Sequence, residues 1–241
     1  MRDVDVVRLS ADGRELSPLV TAAVARAPAR SSTTADDPTA PQEWHDRPRR
    51  RILGIVGAPG AGKSTLAAAV AALLEDAVVV PMDGFHLADV ELHRRGLLER
   101  KGAPETFDGW GYAALLARLR RPAPGELVMA PAFERDLEQP LAGAIPVPPT
   151  VTTVVTEGNY LLLDSPEWAA ARAQLDQVWF ATVDDHVRLE RLVARHVRFG
   201  KSPEAARAWV ESVDQPNARL AAAGAVRADL RLDLTDWRPG G

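Results

Sequence analysis

The chain has 241 residues, 46% of them apolar and 26% charged, with a formal net charge of −4. That length suits one large domain, or one domain with an appendage, and the acidic balance excludes a general attraction to nucleic acid or anionic membrane, so neither is expected as a partner. Zero cysteines exclude disulfides, thiolate metal sites and cysteine nucleophiles, and fit a reducing cytoplasm, the expected location.

No stretch approaches the roughly 18 apolar residues of a membrane span; the longest apolar run covers residues 66–74. The N-terminus lacks the apolar core of a secretory signal, and Asp3, Asp5, Asp12 and Glu15 argue against an acid-poor transit peptide, so the mature protein is expected to start near Met1.

In chain order, residues 16–27 read as a short amphipathic helix, and residues 27–48, rich in Pro, Ser, Thr and Asp, read as a linker. This divides the chain into an N-terminal segment, 1–48, and a main domain, 49–241. From Arg49 the pattern alternates: strand 51–56, helix 63–75, strand 77–81, short helix 88–98, helix 110–121, strand 126–129, then a Pro-rich excursion to Pro149. Strand 151–157, helix 166–173, strand 177–183, helices 185–198, 203–213 and 216–222, and a last strand 228–234 complete it. Apolar residues that continue through the strands, as in Val151-Thr152-Thr153-Val154-Val155, suit a parallel sheet covered on both faces. The fold class is therefore α/β, a three-layer arrangement with a parallel central sheet flanked by helices, and no internal repeat is evident.

Residues 57–65 read GAPGAGKST, between the apolar run 52–56 and the helical run 66–74. This is the Gly-x4-Gly-Lys-Ser phosphate loop in its strand-loop-helix setting, the P-loop NTPase signature. The backbone of Gly57, Ala58, Pro59, Gly60, Ala61 and Gly62 can curl its N–H groups around an anion, and the following helix adds the positive end of its dipole. Lys63 is expected to reach the outer phosphates of ATP and Ser64 to hold Mg²⁺, with Thr65 completing the loop. Of 29 basic residues only Lys63, Lys101 and Lys201 are lysines, so an Arg-biased chain keeps a compact point charge where one is needed.

In a parallel α/β sheet the ligand lies beyond the carboxyl ends of the strands. Two acids sit there, Asp83 after the strand 77–81 and Glu157 at the end of VTTVVTE. Phosphoryl transfer to a hydroxyl needs one carboxylate to orient or accept its proton and another to secure the metal's water shell. Asp83 fits the first role and Glu157 the second; the alternative for each is a solvated acid in a turn.

Arg188, Arg191, Arg195 and Arg198 are spaced three, four and three apart, within an arc of roughly 80° on one helix face. Their mutual repulsion, about 1 kcal/mol in sum, is relieved by an anion. The opposite face, with Leu189 and Val193 at its centre and Leu192 at its edge, is expected to pack inward. The run FGKSP at 199–203 then turns as the tip of a helical lid over residues 184–203 would. A solvated Arg-rich surface is the alternative.

The ordered set GAPGAGKSTLA, PMDGFHL, RKGAPETFDGWGY, MAPAFERDLEQP, VVTEGNYLLLD, RLVARHVRFGKSPEAARAWV and DQPNARL, over residues 50–221, resembles the P-loop kinase family that contains uridine kinase, phosphoribulokinase and bacterial pantothenate kinase. Small nucleoside/nucleotide kinases and fructokinase-like members are the nearest in pattern. The resemblance implies that Asp83 is the catalytic acid-base residue, Glu157 the metal-supporting carboxylate, and Arg191 and Arg195 lid contacts to phosphates. It also implies that Phe85, His86, Arg100, Lys101 and Arg135 face the acceptor and that Asn217 lies near the adenine. Glu134 stands where the relatives' run carries Asp.

The expected activity is an ATP-dependent, Mg²⁺-dependent transfer of the γ-phosphoryl group to a hydroxyl of a nucleoside, sugar or related metabolite, in a monomer or homodimer. The competing class is an NTP-hydrolysing switch or assembly factor without a small acceptor. No lysine sits in an Asn/Thr-Lys-x-Asp context, which weakens a guanine-nucleotide version.

Overall fold

Strands whose apolar residues fall at both odd and even positions have no face to offer water, so they must be covered on both sides. The computed structural model describes residues 4–25 and 50–239. Strands β2 (Arg51–Gly57) and β6 (Thr153–Gly158) are buried along almost their whole length. They sit within a six-stranded sheet with β1 (Val6–Arg8), β3 (Ala77–Pro81), β7 (Gln177–Thr182) and β8 (Leu230–Asp233), in the order β1-β8-β7-β2-β6-β3. Every pairing is parallel.

Alternate residues of these strands feed two separate cores. Ile52, Val56 and Val154 pack with Tyr112, Leu116 and Trp168, from α4 (Gly109–Arg120) and α5 (Pro166–Arg172). Leu53, Ile55 and Val155 pack with Leu16, Val20, Leu66 and Val70, from α1 (Leu16–Ala25) and α2 (Lys63–Ala72). The result is the three-layer α/β sandwich expected from the sequence. Among the described residues no helix is long and apolar enough to cross a membrane.

Two features differ from the sequence reading. Residues 4–25 form part of the domain, because β1 adds to the free edge of β8, Val6 opposite Arg231 and Val7 opposite Leu232, and Leu9, Leu16 and Val20 are buried. A three-residue strand is too short to show a periodicity, which is why the sequence alone set this segment apart; the linker, 27–48, lies outside the described residues. The Pro-rich excursion is also a strand. Here β4 (Val128–Glu134) and β5 (Gln139–Val147) form a two-stranded antiparallel ribbon with an irregularity between Ala130 and Ala132. Proline is tolerated there because a two-stranded ribbon has only edges, so a missing N–H need not break a ladder bond.

Beyond β7 the chain is helical. It comprises α6 (Asp185–Arg198), α7 (Pro203–Trp209), a π-helical turn over Val210–Asp214, and α8 (Gln215–Ala223). Pro216 cannot donate to the carbonyl four residues before it, and the backbone widens into the π turn at that point. The short helix α3 (Asp89–Arg95) lies between β3 and α4.

Integration of the N-terminal segment has a measurable consequence. Leu16→Ala is expected to lower the free energy of unfolding by about 2–4 kcal/mol in a denaturant titration. A change under about 0.5 kcal/mol would detach residues 4–25 from the cooperative unit.

Candidate active site at the phosphate loop

β2 lies between β6 and β7, so the connections leaving it run to opposite sides and open a crevice at its carboxyl end. The phosphate loop fills this point. Gly60 and Gly62 adopt φ of 80° and 88°, which L side chains rarely tolerate. A Cβ on Gly60 would also stand 2.8 Å from Leu192 Cγ and 3.0 Å from the Arg188 carbonyl, so the loop is seated directly against α6. No side chain caps the start of α2 at Gly62, which leaves the positive end of that helix for an anion. Lys63 bends back and donates from Nζ to the Ala58 carbonyl at 3.0 Å. It is 8% exposed; burial pushes its ammonium below the usual lysine range, against the opposing charges of Glu157 and Asp83.

Both strand-end acids reach the same place. Glu157 pairs in register with Ile55 on one side and Pro81 on the other, one strand from the loop. Its Oε1 accepts a hydrogen bond from Ser64 Oγ at 2.8 Å. The carboxyl is 5% exposed, and burial, then the neighbouring charge of Asp83, push its pKa up, while Lys63 and the Ser64 hydroxyl hold it down. Asp83 belongs to a single 3₁₀ turn, Met82–Phe85. That turn is pressed against the ribbon, since a Cβ on Gly84 would lie 2.5 Å from the Pro131 carbonyl. Arg135, from the β4–β5 turn, places Nη2 3.6 Å from Asp83 Oδ2.

A cavity of about 480 Å³ brings together Pro59, Lys63, Ser64, Asp83, His86, Lys101, Arg135, Glu157, Arg195 and Asn217. His86 donates from Nδ1 to the Asp83 carbonyl at 2.8 Å, and its ring lies 4.0 Å from Phe107 and 4.6 Å from Phe133 between centroids. Burial lowers its pKa, with Asp83 opposing. Lys101 spends its ammonium on Asp89 Oδ1 at 2.6 Å and on the Glu138 carbonyl, beside the Phe133 ring.

Other expected site residues lie elsewhere. Phe85 packs edge-on against Tyr112 at 5.3 Å, on the core. Arg100 pairs with Glu105 at 2.7 Å on the surface. Neither lines the cavity, because Phe85 is drawn into the core and Arg100 is held at the surface by Glu105. Of the loop, Pro59, Lys63 and Ser64 line the cavity, whereas Gly57, Ala58, Gly60, Ala61 and Gly62 do not, and Thr65 is exposed. Asn217 lines the cavity but gives its Nδ2 to the Gly102 carbonyl at 3.2 Å.

The arginine stripe divides. Arg188 is 4% exposed and Leu192 fully buried, so this edge of the helix, and not the one centred on Leu189 and Val193, packs inward. The Arg188 guanidinium bonds Asp185 at 2.9 Å, the Pro59 carbonyl at 3.4 Å and Gln215, tying α6 to the phosphate loop. A buried arginine with three acceptors is a structural tie, and the sequence pattern could not distinguish it from its neighbours. Arg191 is exposed with Nη1 close to Gly62, Arg195 lines the cavity, and Arg198 rests over Phe199. Burial, together with the Arg135 charge, lowers the Arg195 pKa; it forms no ion pair among the described residues.

One wall escaped the sequence reading. His196, Lys201, Trp209 and Asp214 line the same cavity, with His196 Nε2 2.7 Å from Asp214 Oδ2 and Lys201 Nζ 4.3 Å from the Trp209 ring centroid. The available signal was the spacing of Asp214 and Asn217, three apart on one helical face in DQPNARL.

The donor set suits Mg²⁺. Ser64 and Glu157 offer hard oxygens, the donors that ion takes alongside water and phosphate.

No family model matches the chain. It is 31% identical over 194 residues to the uncharacterized protein YggC of Escherichia coli, covering 78% of this chain and 79% of that protein. A Schizosaccharomyces pombe protein provisionally named as a uridine kinase is 33% identical over 162 residues, 63% of this chain and 68% of its own length. The crystal structure of a Silicibacter protein, described provisionally as a fructose transport system kinase, superposes with a TM-score of 0.74 at 38% identity, covering 90% and 98% of the two chains. With the phosphate loop, the strand-end acids and helix α6 in one crevice, these likenesses lead to one conclusion: the chain belongs to the P-loop kinase family that contains uridine kinase, phosphoribulokinase and bacterial pantothenate kinase.

Proposed function

We propose that the protein transfers the γ-phosphoryl group of magnesium ATP to a hydroxyl of a small metabolite, a sugar, a nucleoside or a related compound. The observation that carries this reading is the convergence of Lys63, the Ser64–Glu157 pair and Asp83 on one cavity. A pure NTPase switch needs the first three; a further carboxylate, Asp83, beside an aromatic and basic chamber suits a second, hydroxyl-bearing substrate.

In this mechanism the amides of residues 58–62 and the start of α2 hold the phosphate chain, and Lys63 answers the charge on its outer oxygens. Ser64 and, through water, Glu157 would hold Mg²⁺, which neutralises phosphate charge when bound. Asp83 orients the acceptor hydroxyl and takes its proton as the oxygen forms a bond to the γ-phosphorus. The bond from that phosphorus to the bridging oxygen breaks, and its electron pair leaves with ADP. Arg195, half-buried and without a carboxylate partner among the described residues, supplies a further cation to the transferring group, and Arg191 stands beside the loop at Gly62. Helix α6 and the turn at Gly200 form the lid that limits water access.

Asp83→Asn is expected to keep magnesium ATP binding while lowering turnover by about 10² or more, read as coupled ADP release with an acceptor panel. Undiminished turnover would remove its role. Lys63→Ala is expected to weaken nucleotide binding or turnover by about 10² or more; calorimetry and kinetics at wild-type levels would reject the phosphate-loop assignment. The pH profile gives a third check. Burial raises the Glu157 pKa, and its ionised form is the one that serves the metal, so kcat/KM for magnesium ATP should fall on the acid side at a pH above the ordinary glutamate value of about 4.3. An acid limb at or below that value would contradict the assignment.

A further inference from the structure

Under the kinase reading the Asp83 carboxylate has to meet the acceptor hydroxyl at hydrogen-bond distance, where a misplacement of about 1 Å costs about 10² in rate. Little holds the carboxylate itself. Among the described residues no group donates a hydrogen bond to it, and its ion pair with Arg135 spans 3.6 Å. Its place is therefore set through the backbone, and there the Asp83 carbonyl accepts two hydrogen bonds from one residue, from the His86 amide at 3.2 Å and from His86 Nδ1 at 2.8 Å. The amide bond closes the 3₁₀ turn as any residue but proline could. The second bond belongs to the side chain.

The ring that makes it is fixed from two elements. Phe107, just before α4, lies 4.0 Å away between centroids, and Phe133, on β4, lies 4.6 Å away; the backbones of His86 and Phe107 also pair in an isolated antiparallel bridge. A carbonyl can only accept, so Nδ1 carries a proton. Burial disfavours a second proton on the ring; Lys101 and Arg135 reinforce this and Asp83 opposes it. Nε2 is then a lone pair to which no described residue donates, and the ring lines the cavity. The side chain thus has one defined task toward the protein, at Nδ1.

We propose that His86 is a positioning residue for phosphoryl transfer: as the Nδ1–H tautomer, clasped between Phe107 and Phe133, it fixes the Asp83 carbonyl and so aims the Asp83 carboxylate. This rests on the kinase reading above and adds the side chain that holds its base in place.

Two measurements on the full chain test it. In a long-range nitrogen–proton correlation spectrum of the imidazoles near neutral pH, with His86 assigned by the signals lost in its variants, His86 is expected with Nδ1 protonated and Nε2 bare. An Nε2–H tautomer, or a doubly protonated ring, overturns the proposal without recourse to kinetics. The second measurement compares His86→Asn with His86→Leu, similar in size, both lacking Nε2, and differing in the donor that Asn keeps at the δ position. Coupled ADP release with magnesium ATP is read at saturating concentration of whichever of D-fructose, uridine, D-glycerate or pantothenate most accelerates the wild-type protein. A kcat for His86→Asn at least about tenfold above that of His86→Leu, with equal KM for magnesium ATP and cooperative melting in both, supports the proposal. Equal kcat values in the two variants overturn it while the kinase reading stands. ADP release that no acceptor accelerates overturns both.

Discussion

Two oppositely charged groups withdrawn from water meet at the centre of the crevice. Lys63 and Glu157 are each under a tenth exposed, and each is displaced from its ordinary titration range by burial while the other partly restores it. Alone, either would neutralise or distort its surroundings. Together, and with Ser64 joined to Glu157, they form a site of the kind a phosphate chain and a hard cation suit. The sheet makes this juxtaposition possible, because β6 lies directly beside β2 and delivers its last carboxylate at the height of the loop.

The elements around that centre are fixed from two directions. From one side, Leu192 and the Arg188 backbone approach Gly60 so closely that no side chain fits between them, and the Arg188 guanidinium bonds the loop itself. Helix α6 is therefore anchored to the loop at its first two turns. From the other side, the ribbon β4–β5 presses on Gly84 and carries Arg135 to Asp83. Glu138, with φ of 51°, gives its carbonyl to Lys101, so the ribbon's turn is latched to the segment between α3 and α4. Strain in a tight turn is affordable when it fixes the mouth of a site.

Polar residues thus play two parts that look alike in sequence. Arg188 and Arg195 are seven apart on one helix, yet the first is consumed by three protein acceptors and the second has none among the described residues. Lys63 and Lys101 both line the cavity, but the latter's charge is already answered by Asp89. The difference in each case is set by what another part of the chain brings within about 3 Å.

The sheet and the phosphate loop are written into local sequence pattern. Long apolar strands carry their own periodicity, and glycines at positive φ before a lysine and a serine carry their own geometry, so β2, α2, Asp83 and Glu157 were legible from local pattern. It could not reveal β1, whose three residues are too few to show a period, or the ribbon, whose prolines imitate a loop. Only the tertiary structure decided which arginine of α6 faces inward, that Phe85 and Arg100 turn away from the cavity, and that His196 and Asp214 enter it. Those outcomes depend on contacts between residues far apart in the chain, and pairing of that kind leaves no local signature.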